Sequence, residues 1–335
     1  MMRFAAATIA VAALIGCGAQ PLPALPATAT LVEREAILMG TRARLATYHP
    51  SRESGLHALE QALGILEHTE AELSTWRDDS AISLLNRQPI GDAFALSDAT
   101  CRMFRVVYET VLATGGTFDP GLGALTAAWD IHGGGREPDE RSLAAARERS
   151  GLRLMRFDAA RCTVTRDADA TIDVGAFGKG EALDRVAASG LRAPWMIDLG
   201  GQVSASGGPP GQRGWQVSIA HPHNREQRLF DVVLREGSLS TSGGSERDLV
   251  ANGRRIAHHI DPRNGRPAPF DGSVVVWHRS GLEADMLSTA LYVMGPVAGM
   301  RWAAEQELAV CYLIPQPDGV VRVVATPEFE TLRAP

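Results

Sequence analysis

Lys179 is the only lysine among the 33 basic residues of the chain. It sits in Gly178-Lys179-Gly180, after the segment Thr171-Ile172-Asp173-Val174-Gly175-Ala176-Phe177. Apolar and polar residues alternate up to the loop, which predicts a strand ending at Asp173. The glycines then open a predicted helix that runs to Ser189. A strand, a glycine loop and a helix N-terminus together make an anion site, because backbone N–H groups and the helix dipole point at the loop. The glycine spacing is too short for a P-loop, and no Ser or Thr follows the lysine. On a solvated turn arginine would serve as well, and this chain uses arginine everywhere else. A compact ammonium suits a crowded phosphate. A lysine also repels the positive end of a helix, so its charge is expected to be poorly balanced until an anion binds.

Four further clusters have the same character. Gly115-Gly116-Thr117-Phe118-Asp119-Pro120 follows a predicted helix, and its glycines allow close backbone approach to an anion. Ile197-Asp198-Leu199-Gly200-Gly201 is a strand running into a glycine turn. Ser240-Thr241-Ser242-Gly243-Gly244 precedes His258-His259-Ile260-Asp261-Pro262-Arg263-Asn264-Gly265, which ends in a strong turn signal. The two histidines are metal-ligand types, but neighbours in a strand point to opposite faces, so one of them is expected to be structural. In Leu282 to Leu291, Asp285 and Thr289 lie four apart on one buried helix face. A carboxylate with a hydroxyl suits a hard cation such as Mg²⁺, which also takes carbonyls, water and phosphate. The same pair also fits ordinary hydrogen bonding to nearby backbone.

The elements that must position these clusters follow from periodicity. Leu31 to Tyr48 alternates as a hairpin interrupted at Met39-Gly40-Thr41. Ser51 caps a helix that turns Leu56, Leu59, Leu63, Leu66 and Leu73 inward. Ser97 begins a second helix with Met103, Val106, Val107 and Val111 inward, stopped by Gly115-Gly116. Pro138 to Ser150 is a third, polar helix. Leu152–Phe157 and Arg161–Arg166 form a hairpin. Strands follow at Trp195–Leu199, Trp215–Ala220, Leu229–Arg235 and Ser273–His278. Two helices, Leu282 to Met294 and Pro296 to about Gln306, precede final strands at Leu308–Ile314 and Val320–Ala325. Strands come in runs rather than in strict alternation with helices. The fold class is therefore α+β, mainly antiparallel sheets with packed helices.

Composition narrows the function. A net charge of −6 leaves no basic footprint for nucleic acid. Phe4 to Gly16 is apolar but too short to span a bilayer as a mature helix. It ends in Leu14-Ile15-Gly16-Cys17, which resembles a bacterial lipobox. Residues 1–17 are expected to form a lipoprotein signal with Cys17 as the first mature residue. Residues 18–30, with Pro21, Pro23 and Pro26, are expected to form a tether. The expected location is outside the cytoplasm, lipid-anchored to the bacterial inner membrane and facing the periplasm, with the outer membrane as the alternative. Cys101, Cys162 and Cys311 lie in apolar stretches, where buried thiols are the default. An oxidising compartment would also allow a disulfide between two of them, in an unassigned pairing.

Seven motifs occur in an order that resembles the ApbE family of FAD:protein FMN transferases. They are Met39-Gly40-Thr41; Ser74-Thr75-Trp76 with Ser80 and Leu85-Asn86; Gly116 to Pro120; Asp173 to Gly180; Asp198 to Gly201; Thr241-Ser242-Gly243 with His258 to Pro262; and Ala284-Asp285 through Thr289. The resemblance implies one catalytic domain over 31–330 with the family's fold. It implies FAD contacts from Met39, Trp76, Thr117, Phe118, Asp119, Asp173, Lys179 and Ile260. It implies Mg²⁺ held by the Ala176 carbonyl, Asp285 and Thr289. Tryptophan at 76 is a departure, since the family often has tyrosine there. Stacking survives the change and a phenol hydrogen bond does not. The implied reaction transfers FMN from FAD to a Thr or Ser hydroxyl of a target redox flavoprotein and releases AMP. Lys179 is assigned to the pyrophosphate, and His258 and Asp119 are candidate bases by residue type. The alternatives are hydrolysis of FAD to FMN and AMP in the same site, or a lipoprotein that binds FAD without chemistry.

Overall fold

Eight strands form one sheet whose spatial order is also their order along the chain. They are β1 (Thr30–Leu38), β2 (Thr41–His49), β3 (Trp195–Leu199), β4 (Gln202–Ser206), β5 (Glu236–Gly243), β6 (Ser273–His278), β7 (Ala309–Pro315) and β8 (Val321–Ala325). Every neighbouring pair is antiparallel. The architecture is the expected α+β class. This computed structural model describes residues 29–244, 249–251 and 254–334. The leader with Cys17, and the tether up to residue 28, lie outside the described residues.

Local sequence accounts for the main elements. The β1–β2 turn is Met39-Gly40, with φ of 51° and 70°. Two positive φ values in a two-residue loop match the twist of a hairpin, and a non-glycine there is uncommon. In β6, Val274, Val275 and Val276 are fully buried. Val274 and Val276 pack with the helix that follows, and Val275 packs with Val203, Leu239 and Cys311 on the other face. A β-branched run suits a strand covered on both sides.

Four long helices are inserted between the strands: α1 (Arg52–Leu73), α2 (Asp98–Ala113), α3 (Gly178–Ala188) and α4 (Gly281–Glu305). The Ser51 side chain caps α1 and the Ser97 side chain caps α2, as their sequences predict. On α1, Leu59, Ala62 and Leu66 are buried against β1, β2, β3 and α3, Leu73 is buried with Ile82, Leu85 and the α2 residues Met103, Phe104 and Val107, and Leu56 and Leu63 are half-buried. The two predicted helices after Leu282 are continuous except at Gly295, whose φ of 73° and ψ of 169° break the ladder before Pro296.

Two expectations give way. Residues 171–173 form no strand. Instead the Asn86 side chain accepts from the Ile172 N–H and donates to its carbonyl, at 2.8 and 2.9 Å. Asn86 sits on an unanticipated short helix, Ala81–Arg87. Cys101 and Cys162 form a disulfide rather than two buried thiols, and among the described residues Cys311 remains free and buried. Cys101 lies at the start of α2 and Cys162 just before Thr163–Arg166, so the bond ties the helix to the small three-stranded sheet.

A polar knot joins α1, α2 and α3. The Glu72 carboxylate accepts from Ser97 Oγ and Thr100 Oγ1 and pairs with Arg185, which also pairs with Glu181. Burial pushes the Glu72 carboxyl up, but these hydrogen bonds and the Arg185 charge outweigh burial and hold it at about 2. A depressed carboxyl contributes stability above its ordinary value and loses it as pH falls toward its folded value. Glu72→Gln should therefore lower Tm at neutral pH. The gap to wild type should close between pH 4.5 and about 2, as followed by circular dichroism melts. A gap independent of pH over that window would contradict the role assigned to the carboxylate.

Candidate functional site

The site is built where two helix N-termini meet. An added Cβ at Gly180 would lie 2.2 Å from the Gly281 carbonyl oxygen, so α3 and α4 approach backbone to backbone. Only glycine permits that contact. Each helix then places a carboxylate on the other's exposed N–H groups. Asp184 of α3 accepts from the N–H groups of Gly281 and Leu282 and from Ser280 Oγ. Asp285 of α4 accepts from the Gly180 N–H at 3.1 Å. Carboxylates at helix N-termini satisfy otherwise orphaned donors and complement the dipole. The pattern is Gly-x-x-x-Asp in both helices, Gly180 with Asp184 and Gly281 with Asp285.

Asp285 is buried, and its surroundings fix both oxygens. Oδ2 faces the Gly180 N–H and lies 3.5 Å from Lys179 Nζ. Oδ1 is 3.4 Å from Ser240 Oγ on β5. Ser240 in turn contacts Ser288, which contacts Ser242. Ser288 and Thr289 both donate to the Asp285 carbonyl, as an intrahelical reading of the sequence allows. A hydroxyl that donates its proton keeps oxygen lone pairs for a cation.

Thr117, Phe118, Asp119, Asp173, Ala176, Lys179, His258, Ile260, Asp285 and Thr289 all line one cavity of about 400 Å³. Of the sequence-selected residues, Met39 and Trp76 are not in its wall. The Met39 methyl lies 3.5 Å from where a Gly178 Cβ would stand. Trp76 is 78% exposed and meets the edge of His132, which does line the cavity. His258 and His259 both line it, with ring centroids 3.9 Å apart, rather than pointing to opposite faces. They lie outside regular strand, which removes the alternation that would separate them. His259 rests on Tyr292 at 4.3 Å.

The carboxylates differ in setting. Both Asp119 oxygens accept backbone N–H groups, from Gly121 and Leu152, and burial pushes its carboxyl up. Asp173 accepts from the Gly175 N–H at 2.8 Å and meets His132 Nε2 at 2.9 Å. Lys179 finds its counter-charge in Asp285, so the expectation of an unbalanced lysine is corrected. The helix end that should have repelled it already carries a carboxylate.

Sequence patterns did not single out His132, Arg225 or Asp184. Arg225 lines the cavity, with its guanidinium over Gly201, whose φ is 90°. His132 lies in a glycine-rich turn with no periodic signal. The repeated Gly-x-x-x-Asp spacing was the available signal for Asp184. Among the described residues no group of three or more His, Cys, Asp or Glu could hold a metal ion. Asp285, Thr289 and the Ala176 carbonyl remain a set of hard oxygen donors with one charge. Such a set fits Mg²⁺ when phosphate oxygens and water complete the shell.

A model of the ApbE family matches residues 39–313. An FAD:protein FMN transferase from Klebsiella pneumoniae is 29% identical, over 99% of this chain and 97% of its own length. One from Treponema pallidum is 35% identical, over 78% of each. The solved flavin transferase ApbE from Vibrio cholerae superposes with a TM-score of 0.80 at 25% identity, covering 91% of this chain and 99% of that one.

Removing the Lys179 ammonium leaves a buried carboxylate without its cation. Lys179→Ala should lower the unfolding free energy of the protein without added ligand by about 1–3 kcal/mol, since Gly180 and Ser240 still hold Asp285. Urea titration checks it. Equal or greater stability would mean that the ion pair contributes nothing.

Proposed function

The chain belongs to the ApbE family, and on that premise we propose how it works as an FAD:protein FMN transferase. FAD is the substrate. A Ser or Thr hydroxyl oxygen of a target flavoprotein forms a bond to the FMN-side phosphorus. The bond from that phosphorus to the bridging oxygen breaks, AMP leaves with the bridging oxygen, and the hydroxyl proton passes to a base. No electrons are transferred. The observation that carries the scheme is the convergence of Lys179, Asp285 and Thr289 on one cavity, at a helix N-terminus.

The residues divide the work by position. Lys179, at the start of α3, supplies positive charge to the pyrophosphate. Asp285, Thr289 and the Ala176 carbonyl would hold Mg²⁺, with Asp285 as the charged ligand. The ion would neutralise phosphate oxygens and orient them for in-line displacement. Thr117, Phe118, Asp119, Asp173 and Ile260 form the wall that would grip FAD, and Trp76 with Met39 would meet the part extending past the rim. His258 is the candidate base. Asp119 is less suited, because backbone N–H groups occupy both its oxygens.

We also propose export and lipid anchoring through Cys17, at the inner membrane facing the periplasm. The lipobox-like Leu14-Ile15-Gly16-Cys17 and the Cys101–Cys162 disulfide support this independently, since disulfides persist in oxidising compartments. Among the described residues no helix is long and apolar enough to cross a membrane.

Incubation with FAD, Mg²⁺ and an acceptor flavoprotein should leave flavin fluorescence on the acceptor in a denaturing gel. Free FMN without a labelled acceptor would mean hydrolysis instead. Asp285→Ala should reduce labelling by about a hundredfold or more, through loss of the charged metal ligand, and unchanged labelling would remove the metal assignment. Cys17→Ser should release the protein from the membrane fraction. A wild-type protein found soluble in the cytoplasm would contradict export.

A further inference from the structure

Asp285 Oδ2 faces the Lys179 ammonium at 3.5 Å, and Asp285 is also the charged ligand assigned to the proposed metal. Two cations cannot both take the same oxygen at close range without repelling each other. We propose that Lys179 is an exchangeable counter-ion of Asp285, displaced from it when metal and FAD bind together. The proposal rests on the flavin-transfer scheme above.

The surroundings allow the lysine to leave without the carboxylate following. The Gly180 N–H holds Oδ2 from the backbone of α3. Ser240 lies at Oδ1, and the Ser240–Ser288–Ser242 chain ties that side to β5 and α4. The carboxylate is therefore fixed by the fold, whereas the ammonium stands on a flexible four-carbon stem. Lys179 also lines the cavity, so its ammonium can turn from Asp285 to a pyrophosphate oxygen with little movement of its backbone.

The exchange explains why the chain's single lysine stands here among arginines. An arginine would grip a carboxylate through two parallel N–H bonds and give it up less readily. The consequence is coupling. Without FAD, Lys179 competes with the metal for Asp285. With FAD, the pyrophosphate draws the lysine away and adds oxygen ligands, so FAD and metal raise each other's affinity by the same factor. A lysine serving only to hold the fold would leave the coupling to the shared phosphate ligands alone, unchanged by its replacement.

Mn²⁺ binding to the full-length protein, read from the electron paramagnetic resonance signal of the free ion, tests the exchange. Wild type, Lys179→Met and Lys179→Arg are titrated with and without FAD, with FAD confirmed intact by chromatography and folding by circular dichroism. Without FAD, Lys179→Met should bind Mn²⁺ roughly fivefold or more tightly than wild type, and Lys179→Arg more weakly. FAD should raise the wild-type affinity roughly tenfold or more, and that of Lys179→Met distinctly less. Equal affinities of wild type and Lys179→Met without FAD, including none detectable in either, would overturn the proposal. So would an equal gain from FAD in both. The Lys179→Arg result keeps the test decisive if the methionine variant folds poorly. Labelling of an acceptor by wild type judges the transfer scheme separately, so a labelled acceptor with no exchange discards only this inference.

Discussion

The contact between Gly180 and Gly281 is the constraint on which the site depends. With no Cβ on either residue, two helix N-termini come close enough for each to be capped by the other's aspartate. Asp184 anchors the start of α4, and Asp285 reaches the start of α3. A larger residue at 180 would meet backbone, not a yielding side chain, so the cost would fall on the geometry of the whole pair. The rest of the fold keeps the pair in place. The Glu72–Arg185 knot fastens α3 to α1 and α2, and the buried valines of β6 pack against α4.

Electrostatics gives the pair its chemistry. Two positive helix ends directed at one place would repel each other without carboxylates, and with them they become a site of nearly balanced charge. The cavity wall carries Asp119, Asp173 and Asp285 against Lys179 and Arg225, with His132 and His258 nearby. Asp119 is committed to backbone donors and Asp173 to Gly175 and His132. Asp285 is the carboxylate placed against a cation that can move. A pyrophosphate entering such a cavity needs added positive charge, which is the physical reason for a metal in the proposed chemistry.

Much of the site was legible in the sequence because glycines and polar groups interrupt apolar stretches. The loops at 116–120, 173–180 and 258–262 and the helix through Asp285 line one cavity, and the hairpin at Met39-Gly40 and the caps at Ser51 and Ser97 stand where local chemistry puts them. What escaped depends on contacts distant in sequence. Thr171 to Asp173 alternates like a strand, but an asparagine side chain from 86 takes the place of a strand partner. Asp184 looks like any acid on a helix surface until α4 lies against it. The Cys101–Cys162 pairing follows from where α2 meets a small sheet, which spacing does not encode. Lysine rarity singled out a residue that lines the cavity and pairs with Asp285. Its expected imbalance failed because the compensating charge lies 106 residues later, at Asp285.

The most direct measurement is a crystal structure with FAD and Mn²⁺, using the anomalous signal of manganese to locate the ion. The account predicts a peak bounded by Asp285, Thr289 Oγ1, the Ala176 carbonyl and pyrophosphate oxygens, with the Lys179 ammonium on a phosphate instead of on Asp285. A peak elsewhere, or a pyrophosphate remote from the start of α3, would contradict it.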